Sequence, residues 1–180
     1  MHARKIIFAV ILAAAFVFVI QTVSVRALPS PVSGTEAVLT AKEVGVKLFP
    51  EKVFFRGQLA PTQARNTAGV HFADDFYAVA GLCDSSGYST DVRQKFQGYL
   101  LTEVPLEIGG QSLKAGAYGF GFAGGQFVVM DIAANDLFHV AAAKDDDLKR
   151  PTPLQIAASP AKGTYRLYAG REYVELHRAQ

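Results

Sequence analysis

The sequence predicts a mainly β protein, an antiparallel β-sandwich or partly open barrel, with one short N-terminal helix. Three observations predict this fold. From residue 52 onward, apolar and polar residues alternate with the period of half-buried strands. Turn-forming residues separate these runs at short spacing, as in 84–87 and 159–163. The segment that starts at Thr40 carries the capping signals of a helix.

The N-terminus has the three-part plan of a secretory signal peptide. Arg4 and Lys5 precede an apolar run over residues 6–20, and small residues around Ala27 suit cleavage there. The run is shorter than the roughly 18 residues that span a bilayer, although an uncleaved membrane anchor is the alternative. We therefore expect a secreted or periplasmic protein that meets a membrane only during export or through such an anchor.

Removal of the signal peptide, residues 1–27, changes the charge balance. Three of the 18 basic residues lie in it, so the mature chain has 15 basic and 16 acidic residues. Because the mature sequence has no Lys/Arg cluster, we expect no nucleic-acid partner. Residues 28–36 are predicted to be a flexible leader and residues 37–180 a single β-sandwich domain. Cys83 is the sole cysteine of the sequence, which excludes an intrachain disulfide.

The first predicted element is a helix over residues 41–48. Thr40 and Glu43 have the spacing of a capping box, and Pro50 ends the helix because it disfavours helical geometry at the residue before it. Residues 88–95 are predicted to add a helical turn. The predicted strands are 52–58, 62–72, 76–83, 96–108, 117–123, 126–132, 137–142, 154–158, 164–169 and 172–177.

Residues 119–124 read GFGFAG, the G-x-G-x-x-G spacing of dinucleotide-binding turns. That motif requires a following helix to hold the pyrophosphate, but residues 126–132 are β-branched, aromatic and strand-like. The motif therefore predicts a hairpin with Gly124-Gly125 as its loop. The expected cross-strand pairs are Phe122–Phe127, Phe120–Val129 and Tyr118–Asp131.

Gly119 and Gly121 leave one face of this hairpin without side chains, so that another element or a ligand can approach closely. One interpretation is that the helix 41–48 packs on this face. The other is that the face lines a ligand cleft, with Tyr118, Gly119, Gly121 and Asp131 as the ligand-binding residues.

A second hairpin is predicted at the C-terminus, with Gly170-Arg171 as its loop. In this register Tyr165 pairs with Leu176 and Leu167 with Val174. Arg166 faces Glu175 and Tyr168 faces Tyr173 on the other side. A shift by one residue would mix apolar and charged faces, which fixes the register.

Residues 104–118 read VPLEIGGQSLKAGAY. This segment resembles a recurring one, I-G-G-x-x-L-x-A-G-x-Y, in a family of uncharacterised secreted bacterial β-sandwich proteins. The resemblance implies a sandwich fold and secretion. It implies no activity and no functional residue.

Chemistry-bearing residues are sparse and lack motif spacing. His71, His139 and His177 form no metal-binding motif, so no metal and no cofactor are expected. Cys83 falls opposite Arg65 if residues 73–75 form a loop, an arrangement that would favour a reactive thiolate.

The sequence favours a noncatalytic β domain that binds a small ligand or a cell-envelope partner. One alternative is a hydrolase or metal-dependent enzyme that uses His71, Asp131 and His139. Another is a lipocalin-like carrier of an apolar molecule. An enzyme would gather titratable groups in a pocket, whereas a carrier would show a large apolar cavity.

Overall fold

The computed structural model of the chain describes residues 34–45 and 47–179. The predicted signal peptide and most of the predicted leader lie outside these residues. None of the helices in the described part is both long and apolar enough to cross a bilayer. The elements in chain order are β1 (Ala37–Leu39), α1 (Ala41–Val44), β2 (Lys52–Phe55), β3 (Gln58–His71), β4 (Tyr77–Cys83), α2 (Thr90–Lys95), β5 (Gly98–Thr102), β6 (Leu106–Ile108), β7 (Gln111–Leu113), β8 (Gly116–Ala123), β9 (Gln126–Met130), β10 (Asp136–Ala141), β11 (Ala143–Lys144), β12 (Gln155–Ala158), β13 (Thr164–Ala169) and β14 (Glu172–Arg178).

The strands form two antiparallel sheets, which confirms the predicted mainly β sandwich. The larger sheet has the order β1-β3-β4-β5-β8-β9-β10, and β2 pairs with β3. The smaller sheet has the order β12-β13-β14-β6-β7, and β11 pairs with β14. Neither strand order closes on itself, so the architecture is a sandwich rather than a barrel.

The main core lies between the two sheets. Most strands contribute alternate residues to it, because successive side chains of a strand point to opposite faces. Its fully buried members include Phe120, Phe127, Leu106, Leu167 and Leu176.

A second core covers the outer face of the larger sheet, the face turned away from the smaller sheet. Chain segments from α1, β2 and α2 supply its aromatic residues, among them Phe49, Phe55 and Phe96. The rings of Phe55 and Phe96 stack with their centroids 3.9 Å apart. Burial on both faces explains why central strands such as β9 read as continuous apolar runs.

Both predicted hairpins are confirmed in register. In the first, Phe120 pairs with Val129 and Phe122 with Phe127. Gly124 and Gly125 both have positive φ, 60° and 75°, as a two-residue hairpin loop favours. β9 ends at Met130, so the expected Tyr118–Asp131 pair does not form. In the C-terminal hairpin all four expected pairs form: 165 with 176, 166 with 175, 167 with 174 and 168 with 173.

The helices differ in length from the prediction. α1 ends at Val44, and residues 45, 47 and 48 lie in turns, so the predicted helix over 41–48 is too long. Its capping box is formed: Glu43 accepts hydrogen bonds from the backbone N–H of Thr40 (2.8 Å) and from its hydroxyl (2.7 Å). The helical turn expected in 88–95 is α2.

Candidate functional site

Two glycines of the GFGFAG motif, Gly119 and Gly121, are covered by protein. A Cβ at Gly119 would come within 2.8 Å of Cζ of Phe55, and one at Gly121 within 2.9 Å of the carbonyl carbon of Lys95. The packing interpretation is therefore correct, but its predicted partner is wrong. β2 and the end of α2 cover this face, whereas α1 lies over β3, three strand positions from β8, with Val44 against Gly69. The element that follows the motif is the strand β9 and not a helix.

Two other predicted ligand residues lie apart from these glycines. Tyr118 lines a shallow cleft of about 320 Å³ at the sandwich edge, together with Leu137 and Phe138. Burial raises its pKa, and its hydroxyl donates to the carbonyl oxygen of Lys114 (3.0 Å). Asp131 accepts bonds from the backbone and side-chain amides of Asn135, both at 2.9 Å, which lowers the pKa of Asp131. The carboxylate of Asp131 therefore stabilises the turn over residues 131–135.

The structure does not bring His71, Asp131 and His139 together. His71 ends β3 and His139 lies on β10, five strand positions apart in the larger sheet. At about 4.8 Å per strand, this separation is roughly 24 Å, far beyond the reach of one metal ion. Within residues 34–45 and 47–179, no group of three His, Cys, Asp or Glu side chains could hold a metal.

His139 instead belongs to a polar cluster on the edge strand β10. Asp136 accepts hydrogen bonds from Lys95 (2.8 Å) and His139 Nε2 (2.9 Å), and His139 Nδ1 lies 3.2 Å from Gln126 Oε1. Burial opposes ionisation of Asp136, but the bonds from Lys95 and His139 outweigh it and lower the pKa of this carboxyl. The bond between Lys95 and Asp136 joins α2 to β10. Because protein atoms contact both imidazole nitrogens of His139, neither nitrogen points at a substrate.

Cys83 does not face Arg65. The 73–75 loop forms as expected, and His71 pairs with Tyr77, but the ladder shifts between Thr62 and Thr67, so Thr62 faces Cys83. Arg65 is exposed on this irregular stretch. Burial raises the pKa of the Cys83 thiol to about 12. The reactive-thiolate hypothesis is therefore wrong, and Cys83 is a small buried side chain of the second core.

The feature best suited to bind a ligand is a cleft on the outer face of the larger sheet. Its floor is a row of register partners on β4, β5 and β8: Val79 pairs with Leu101, and Leu101 with Ala117. Leu48, 39% exposed, forms one wall. The space measures about 360 Å³, and we call it the outer cleft. The remaining residues that line it are Tyr77, Thr102, Glu103 and Gly116.

The outer cleft exists because the second core leaves one row of sheet residues, that of Val79, Leu101 and Ala117, uncovered. In the preceding row, the ring of Phe49 covers Gly81 and that of Phe55 covers Gly119. No comparable ring of the covering segments fills the row of Val79, Leu101 and Ala117 in the described residues, and the gap stays open as the outer cleft.

A polar rim borders the outer cleft where β4 begins. Glu103 Oε2 accepts a hydrogen bond from the backbone N–H of Tyr77 (2.9 Å), which holds the carboxylate at the entrance. The rings of Tyr77 and His71 stack with centroids 4.5 Å apart. His71 Nε2 lies 2.8 Å from Oδ1 of the loop residue Asp75, so this nitrogen pairs with a carboxylate.

Sequence reasoning missed the outer cleft. Its floor residues come from three strands whose pairing is not visible in the sequence. One signal was present: Val79 and Leu101 lie in runs that are apolar on both faces, which indicates a sheet covered on both sides. Which row remains uncovered depends on where the chain from α1 to β2 crosses the sheet.

Compared with protein families, with curated proteins and with solved structures, the chain has no match. The fold is a two-layer antiparallel β-sandwich with an apolar cleft on the outer face of its larger sheet. The resemblance of residues 104–118 to secreted bacterial sandwich proteins stays an expectation.

Proposed function

We propose that this protein is an exported, noncatalytic ligand-binding domain and that the outer cleft is its ligand site. The observation that carries the proposal is the apolar floor of Val79, Leu101 and Ala117, which lies beside the exposed wall of Leu48. Small-molecule sites are typically apolar concavities of about 300–1,000 Å³ with a few placed polar groups. The outer cleft has this composition and lies at the lower end of that range.

The lining favours binding over catalysis. Catalytic pockets gather an acid, a base or a nucleophile with an orienting partner. Among the described residues that line the outer cleft, Glu103 is the single carboxylate, and it accepts a backbone hydrogen bond. His71 lies behind Tyr77 and is engaged by Asp75. Export is supported by the three-part pattern of residues 1–27.

The proposal is tested with the neutral fluorophore N-phenyl-1-naphthylamine, whose emission rises in an apolar site. We expect saturable binding to the mature protein. Ala117→Leu places three more carbon atoms on the cleft floor and should weaken binding at least about tenfold, a change of 1.4 kcal/mol. Ala157→Leu is the matched control, because Ala157 is also a half-buried strand residue but lies on the smaller sheet.

Binding that is lost in Ala117→Leu and retained in Ala157→Leu supports the proposal, provided that both variants unfold cooperatively. Absence of saturable binding to the wild type would contradict it, and so would equal binding to all three proteins.

A further inference from the structure

The carboxylate at the rim of the outer cleft differs from the acids around it. Asp74 pairs with Arg178, and Asp75 pairs with His71. No ion pair joins Glu103 to a Lys, Arg or His of the described residues. The cleft therefore presents an exposed negative charge without a cationic neighbour in contact with it.

The geometry of Glu103 makes this charge a fixed acceptor. Its Oε2 takes one hydrogen bond from Tyr77 N–H, while an ionised carboxylate can accept about four. The single bond orients the group and leaves acceptor capacity for a ligand. The apolar floor of Val79 and Leu101 begins directly beside it, because Tyr77 lies two residues before Val79 on β4 and Glu103 lies two residues after Leu101, just past the end of β5.

We infer that the outer cleft selects small amphiphilic cations, which join an apolar body to a primary ammonium group. This inference rests on the proposed function and adds the ligand class. The apolar body lies on Val79, Leu101 and Ala117, and the ammonium donates to Glu103. Charge-assisted hydrogen bonds of this kind are stronger than neutral ones.

The test compares three ligands with the same octyl body: octylammonium, 1-octanol and octyl sulfate, each below its micellar concentration. Their ability to displace bound N-phenyl-1-naphthylamine gives relative affinities. We expect octylammonium to bind about fivefold more tightly than 1-octanol, as suits one partly exposed charge pair, and octyl sulfate to bind least.

Glu103→Gln keeps the acceptor for Tyr77 N–H and removes the charge. In this variant the preference for octylammonium over 1-octanol should disappear, because the side chain at position 103 no longer carries a charge. Glu172→Gln, on the smaller sheet, is the control and should keep the preference. In the wild type, added salt should shrink the preference because screening weakens exposed charge pairs, a measurement that does not depend on the folding of any variant.

A wild type that binds 1-octanol as well as octylammonium, or a preference that survives in Glu103→Gln, would overturn the inference and leave the proposed function standing. Failure of the fluorophore to bind at all would instead overturn the proposed function, and the inference with it.

Discussion

A single methyl group at Gly121 should destabilise the fold strongly. The Cβ of Gly121→Ala would lie 2.9 Å from the carbonyl carbon of Lys95, closer still to its oxygen, and 3.2 Å from Cγ of Gln97. Real Cβ atoms essentially never come within 3.0 Å of a neighbour. The Lys95 carbonyl must therefore retreat, and it belongs to backbone rather than to a flexible side chain.

The surroundings of Lys95 oppose such a shift. Phe96 N–H donates to Val92 (2.7 Å), and Gln97 N–H donates to Phe120 (2.9 Å). The Gln97 side chain also bonds the backbone of Phe122, through Nε2 (2.8 Å) and Oε1 (3.0 Å). Overpacking typically costs about 1–3 kcal/mol, and we expect the upper end here, about 3 kcal/mol. For a domain of this size that lowers Tm by about 6–12 °C.

Guanidinium unfolding of three variants measures the effect. Gly119→Ala should cost less than Gly121→Ala, because the nearest obstructing atoms belong to the Phe55 side chain in the first case and to the less easily displaced Lys95 backbone in the second. Gly87→Ala is the control: Gly87 is exposed, does not have positive φ, and its nearest neighbour would be 3.9 Å away. It should change stability by less than about 0.5 kcal/mol. A Gly121→Ala protein as stable as the wild type would refute the claim that this face is closely covered.

Three further predictions follow from the compartment, the buried thiol and the polar cluster. Protein recovered from the cell envelope or medium should begin near Leu28, and an intact Met1 would favour the membrane anchor instead. Cys83 should resist Ellman's reagent at pH 8 in the native state and react in concentrated guanidinium, because burial raises its pKa to about 12; rapid native reaction would contradict its burial. The folded-state pKa of Asp136 is lowered, so its contribution to stability is present above its unfolded pKa of about 3.9 and is lost as pH falls through the folded value. Wild type and Asp136→Asn should differ in unfolding free energy by about 1 kcal/mol or less at pH 7, and this difference should shrink in acid. A difference that grows in acid would contradict a lowered pKa of Asp136.

Local patterns predicted the hairpins but not every strand. The C-terminal register followed from the sequence because the apolar pairs and the Arg166–Glu175 pair fit one alignment alone. Strands β1, β7 and β11 escaped prediction, since they have only two or three residues each. β1 and β11 also depend on pairing with distant partners, β3 and β14. β1, for example, lies against the end of β3, with Ala37 opposite His71.

The candidate site was less accessible to sequence reasoning than the fold. The sequence could predict that Gly119 and Gly121 make room for a neighbour, because a strand face without side chains lets another element pack closely on it. The identity of that neighbour could not, since five strands and α2 separate Phe55 on β2 from Gly119 on β8 in chain order. The Arg65–Cys83 pairing failed for a similar reason: a shift of register between Thr62 and Thr67 leaves no signal in the alternation of residues.

The most direct test of the central claim is methyl NMR of the mature protein during titration with N-phenyl-1-naphthylamine. We expect saturable shift changes for the methyl groups of Val79, Leu101 and Ala117, with those of Ile156 on the smaller sheet unchanged. Changes centred on Leu137, beside Tyr118, would place the ligand in the edge cleft and contradict the account, as would a spectrum that does not change at all.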